Sequence, residues 1–163
     1  AGGGALVWRA RAADGVRLHP PSRDSSLGSL YFCAPRPPPD SSPSCGGRWD
    51  MIADARLNIT QEPNSLQSAP EVVARVWQKA ADLGYAQYFI PQPYPMAVTD
   101  DHVPFIERGF HVIDVIDLDY GPPNASGQAV PNYHHTLQDT MEPISAKSLQ
   151  IVGDVALSLL TAA

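Results

Sequence analysis

Val112-Ile113-Asp114-Val115-Ile116 is the segment that most restricts the fold of this chain. Four of its five residues are apolar, so it reads as a strand covered on both faces. Such strands belong to parallel sheets flanked by helices. The flanks agree. Ser68 to Leu83 has helical spacing, with Ser68 as its cap, Pro70 and Glu71 in its first turn and Gly84 as its stop. Val72, Val73, Val76, Trp77, Ala80 and Leu83 form its apolar face. Ser145 to Leu160 is a second helix, with Leu149, Val152, Val155, Ala156, Leu159 and Leu160 turned inward.

Shorter strands are expected at Trp49–Ile52, at Leu57–Ile59 and at Tyr88–Ile90, the last ended by Pro91. Pro104 to Gly109 reads as a short helix stopped by its glycine, and residues 121–132 read as a Gly-, Pro- and Asn-rich loop. Strands alternating with helices imply a layered α/β sheet, in which polar residues just after the strands mark the site.

Upstream of Trp49 the pattern breaks. Residues 1–48 hold seven of the 17 prolines and both cysteines. Arg36-Pro37-Pro38-Pro39-Asp40-Ser41-Ser42-Pro43 fits neither a helix interior nor a central strand. The expectation is an irregular Pro/Gly/Arg-rich segment over 1–48, diverged or misframed, ahead of a domain over 49–163. Cys33 and Cys45 do not have zinc-knuckle spacing, and a disulfide and two free thiols both remain open.

The chain has 163 residues, enough for one domain with its own core. Its net charge of -6 and lack of a basic stripe argue against a nucleic-acid partner. No apolar run reaches the ~20 residues of a membrane span. The Ala-Gly-Gly-Gly start, without Met or a signal-peptide pattern, suggests a mature, trimmed or partial chain.

Imidazoles and carboxylates gather in two loops, and these groups bind zinc and move protons near neutral pH. Tyr133-His134-His135-Thr136 carries adjacent histidines, with Asp139 four residues after His135. Taken alone, a loop histidine is usually solvated. Asp139 fits orientation of His135 or capping of the turn at Thr140. Thr99-Asp100-Asp101-His102 lies ahead of the short helix. Helix capping competes there with an acid/base role for a carboxylate held near a metal. His102 reads as a partner of such a site or as a satisfied semi-buried side chain. Asp50 sits among Trp49, Met51 and Ile52, where a carboxylate needs a metal, a cation or several N–H donors. Asp114, Asp117 and Asp119 are assigned to solvated or capping positions.

Thr99-Asp100-Asp101-His102-Val103-Pro104-Phe105, Arg108-Gly109 with the strand after it, and His135-Thr136-x-x-Asp139-Thr140 together resemble the zinc exopeptidase and glutaminyl cyclase family, metallopeptidase family twenty-eight. Asp50-Met51-Ile52 resembles its Asp-Met-Ile-Gly strand end, with Ala53 in place of glycine. Glu62-x-Asn64-Ser65-Leu66 resembles its bacterial members. The likeness covers residues 49–163, the C-terminal part of the family domain. It implies a three-layer α/β/α sandwich with a mostly parallel sheet, incomplete on its N-terminal side, and chemistry at peptide N-termini.

By the same resemblance His135 is a zinc ligand. Asp50 is a zinc ligand in the two-zinc aminopeptidases and a catalytic hydrogen-bonding carboxylate in the one-zinc cyclases. Asp100 matches the second such carboxylate, where many peptidases have Ser, and this tilts the reading to the glutaminyl-peptide cyclotransferase branch. His134 falls where cyclases have Trp and several peptidases Tyr, and it joins Asp101, His102 and Asp139 as pocket residues. The family implies export.

Asp14-Gly15-Val16-Arg17, followed by Leu27-Gly28-Ser29-Leu30-Tyr31-Phe32, is the candidate for the family's acidic Asp-Gly-Glu segment, but Val16 and Arg17 cannot bind zinc or take a proton. The family's first ligands belong further upstream. The chain is therefore expected to be part of an enzyme, inactive alone and weak in zinc binding. A zinc aminopeptidase and a non-catalytic binding domain are the alternatives.

Overall fold

The computed structural model describes residues 45–122, 125 and 133–161. The irregular segment expected over residues 1–48 lies outside these except for Cys45–Arg48. Cys33, Asp14–Arg17, Leu27–Phe32 and most of the 121–132 loop also lie outside them. The described chain runs β1 (Gly46–Asp50), β2 (Ile59–Gln61), α1 (Pro63–Ser68), α2 (Pro70–Asp82), β3 (Phe89–Pro93), a single turn α3 (Val103–Ile106), β4 (Val112–Ile116) and α4 (Ala146–Thr161).

Both strand pairs are parallel. β1 lies along β4, with Arg48 opposite Asp114 and Asp50 opposite Ile116. β2 lies along β3. Parallel neighbours need a crossover, and α1 and α2 supply it between β2 and β3. The fold is thus mixed α/β with parallel strands, as the alternation of elements predicts.

The core forms where α2 and α4 meet the strands. Val73, Val76, Trp77 and Ala80 of α2 pack with Ile151, Val152 and Val155 of α4, and with Ile59, Phe89, Ile113 and Val115 from the strands. Each fully buried side chain of this size contributes about 1.5–3 kcal/mol. Trp77 meets Phe89 edge-on, with ring centroids 5.6 Å apart. The Trp77 indole N–H donates to the Ile90 carbonyl at 3.0 Å.

Several expectations are corrected. β1 begins at Gly46 rather than Trp49, and its first glycine suits a close approach: a Cβ there would meet Val112 at 3.3 Å. β2 starts at Ile59, because the Asn58 N–H goes instead to the Asp117 carboxylate at 3.0 Å. Ser68 does not cap α2. It ends α1, a helix not expected from sequence, and Ala69 holds the cap position of α2 without a side-chain bond. β3 continues through Pro91 to Pro93, because the N–H reaching the Gln61 carbonyl comes from Tyr94, so the prolines withhold no such donor.

In α4, Leu149 and Leu160 are exposed and Ile151 is buried instead. The inward face turns toward Ser148, whose hydroxyl donates to the Asp54 carbonyl at 2.6 Å. Leu83 is likewise exposed. Asp114 and Asp117 are sealed from water, not solvated. No helix among the described residues is long and apolar enough to cross a membrane.

Candidate functional site

Side chains two residues apart on a strand share a face, and residues in register across a parallel pair share it too. Arg48, Asp50 and Asp114 therefore converge. The loop before α3 brings Asp100 and Asp101 to the same place. The Arg48 guanidinium lies 2.5 Å from Asp100, 3.0 Å from Asp50, 3.3 Å from Asp114 and 3.9 Å from Asp101. Burial opposes the charge on Arg48, but Asp114, Asp50 and Asp100 outweigh it and hold its pKa above the ordinary value. Burial also pushes the Asp114 carboxyl up to about 7, against the pull of Arg48 and His102.

The backbone helps to set this geometry. The Met51 N–H donates to Asp50 Oδ1 at 2.9 Å, and Met51 takes a left-handed φ of 50°. A bulky residue seldom adopts that conformation, and such strain concentrates at functional sites. Asp100 Oδ1 accepts the Asp101 N–H at 2.7 Å. Neither aspartate caps α3: His102 occupies the cap position, and its ring makes no cap bond.

Behind the cluster lies a buried polar layer. His102 is fully enclosed, with Nε2 3.1 Å from Glu62 Oε2 and Nδ1 3.4 Å from Asp114 Oδ2. Glu62 also accepts the N–H groups of Asn64 (2.9 Å), Ser65 (2.7 Å) and Val98 (3.3 Å) and the Ser65 hydroxyl (2.8 Å). Burial would raise its pKa, but the bonds from His102, Asn64 and Ser65 bring it down to about 2. Ser65 Oγ in turn accepts the Asp114 N–H at 2.9 Å, which holds β4 against α1.

The two-histidine loop approaches from outside. His134 and His135 stack with centroids 3.7 Å apart. His135 is exposed and has a left-handed φ of 59°. Partial loss of water and the neighbouring His135 lower the His134 pKa, while Asp50, Asp100 and Asp139 pull it back up. His134 is thus within electrostatic reach of the cluster. Asp139 accepts the Tyr120 hydroxyl at 3.3 Å. The ring of Tyr120 meets that of Tyr133 edge-on at 5.7 Å, which anchors the loop.

Arg48, Glu62 and Asp114 are central to this arrangement and were not among the site residues read from sequence. Two signals existed. Arg48 stands two residues before Asp50 on a strand, and Asp114 is the lone charge inside an apolar one. Of the zinc donors implied by the resemblance, Asp50 is engaged by Arg48 and His135 is exposed, and among the described residues no three His, Cys, Asp or Glu side chains form a group able to hold a metal ion.

The model of Peptidase family M28 matches residues 24–160, so it includes the Leu27–Phe32 segment. Glutaminyl cyclase from Porphyromonas gingivalis is similar, with 33% identity and a TM-score of 0.72 over 84% of this chain and 48% of that one. A Zn-dependent exopeptidase from Parabacteroides distasonis shows 32% identity and a TM-score of 0.74 over 88% and 48%. Glutaminyl cyclase from an Acidobacteriales bacterium shows 41% identity and a TM-score of 0.60 over 71% and 37%. The chain spans about half the length of the first two solved structures or less of the third. No curated protein matches.

Proposed function

This chain belongs to peptidase family M28, and from that premise we propose that it serves a glutaminyl cyclase-like reaction at peptide N-termini, with Asp50 and Asp100 receiving the substrate's amino group. The observation that carries this reading is that both carboxylates already converge on one cation, the Arg48 guanidinium, at 3.0 and 2.5 Å. A peptide's α-ammonium is a smaller cation with three donors, and the same oxygens suit it. The bound ammonium would first give one proton to solvent; as the neutral amine attacks the glutamine side-chain amide, Asp100 would take a second proton from that nitrogen and pass it to the amide nitrogen, which departs as ammonia. Asp50 would orient the amine. His134 would form part of the pocket wall.

Zinc is one ion in this reading and two in the aminopeptidase reading. In either case a site would need donors beyond those the described residues bring together. The likeness to the Zn-dependent exopeptidase supports the aminopeptidase alternative, in which the first peptide bond is hydrolysed.

The test is calorimetric binding of a Gln-initiated peptide and of its N-acetylated form to the chain and to Asp100→Asn. The free amine should bind, the acetylated peptide should not, and Asp100→Asn should weaken the former. Equal binding of the two peptides would sink the proposal. Mass spectrometry of the products separates the branches: a pyroglutamyl peptide marks the cyclase, and a released amino acid the aminopeptidase.

A further inference from the structure

We propose that Arg48 is a built-in occupant of the cation position between Asp50 and Asp100, so that a peptide's N-terminal ammonium enters only by displacing it. This rests on the amine-binding reading above and adds an internal competitor to it.

Two observations support the inference. The guanidinium touches both carboxylates assigned to the amine, and also Asp114 and Asp101. Its donors are a planar fork, which can engage several oxygens at once, whereas an ammonium is a point charge. In addition, Arg48 is tethered on β1 and cannot diffuse away, so its local concentration exceeds that of a free peptide. Its side chain remains partly exposed, at 26%, and this leaves it a path toward solvent when another cation arrives.

Arg48 is therefore a positioning residue. It holds Asp50 and Asp100 together when no peptide is present, and it sets how tightly an amine must bind to replace it. This requirement falls on the free N-terminus alone, because an acetylated one brings no positive charge to exchange.

The same calorimetric pair of peptides tests the inference on Arg48→Met in the full chain. The free-amine peptide should bind Arg48→Met about tenfold more tightly than the unaltered chain, while the acetylated peptide should gain nothing. Arg48→Lys keeps a cation but not the fork, and its affinity should fall between the two. Unchanged or weaker binding by folded Arg48→Met, with Asp100→Asn still weakening binding, would overturn the inference and leave the proposed function standing. Equal binding of free and acetylated peptides by every variant would remove the proposed function itself. If Arg48→Met does not fold, as judged by near-ultraviolet circular dichroism, Arg48→Lys decides: affinity equal to that of the unaltered chain overturns the inference.

Discussion

His102 Nε2 stands 3.1 Å from Glu62 Oε2, and both side chains are sealed from water. The pair joins α1 to the turn of α3, and the far side of the ring faces Asp114. Its members come from sequence positions forty residues apart, so the contact fixes where the Asp100 loop sits relative to β4.

His102→Ala would leave two buried carboxylates without that partner. The expected loss of unfolding free energy is about 1–3 kcal/mol, the cost of a buried acceptor left short of a donor, read as a lower urea midpoint. A loss under about 1 kcal/mol would mean that the ring is not holding the loop.

Stability should have an acidic maximum. Glu62 lies at about 2 in the folded chain against an ordinary 4.5, so its contribution is present above about pH 4.5 and is lost as pH falls toward 2. Asp117 behaves oppositely. Burial raises its carboxyl from 3.8 to about 7, despite N–H bonds from Asn58 and Asp119. The folded chain then keeps a proton that the unfolded chain gives up, and stability falls as pH rises from about 4 through 7. Melting temperatures should peak between about pH 4 and 5. Asp114, also raised to about 7 by burial, adds to the same fall, so Asp117→Asn should lessen the alkaline slope without removing it and leave the acid side steep. A melting temperature that climbs steadily to neutral pH would contradict these assignments.

Phe89→Ala should cost about 3–5 kcal/mol, because the ring is almost fully enclosed against Trp77 and leaves a cavity. Tryptophan fluorescence during urea unfolding measures it, since Trp77 reports directly on that cavity. A cost near zero would mean that α2 closes onto β3 without the ring.

Zinc added to the unaltered chain should bind more weakly than about 1 μM by calorimetry, since two donors fall short of the usual three or four. Tighter binding would contradict this expectation.

Strands and helices were legible wherever burial is one-sided or complete over several turns. The strand at Val112–Ile116 follows from its apolar run, and the helix now bounded by Pro70 and Asp82 from its apolar face. α1 was not legible, because it is only six residues long and its cap is a glutamate, an uncommon choice at that position. Asp50 reads as a carboxylate in need of a metal, a cation or several N–H donors, and the structure gives it a cation, Arg48, and one N–H, from Met51. The burial of Asp114 does not show in its sequence neighbours. Its environment is instead set across the sheet, by Arg48 in register and by His102 from the far loop. Such pairings appear only when two distant segments meet.

The register of β1 on β4 admits no partial error. A slip of one residue would reverse the parity of β1 and carry Arg48 and Asp50 to the opposite side of the sheet, leaving Asp114 without its counter-charge. No intermediate offset softens that penalty, since strands admit only whole steps. One backbone step therefore forfeits the whole four-way ion contact at once, so the charges and the apolar faces of these two strands select the same alignment.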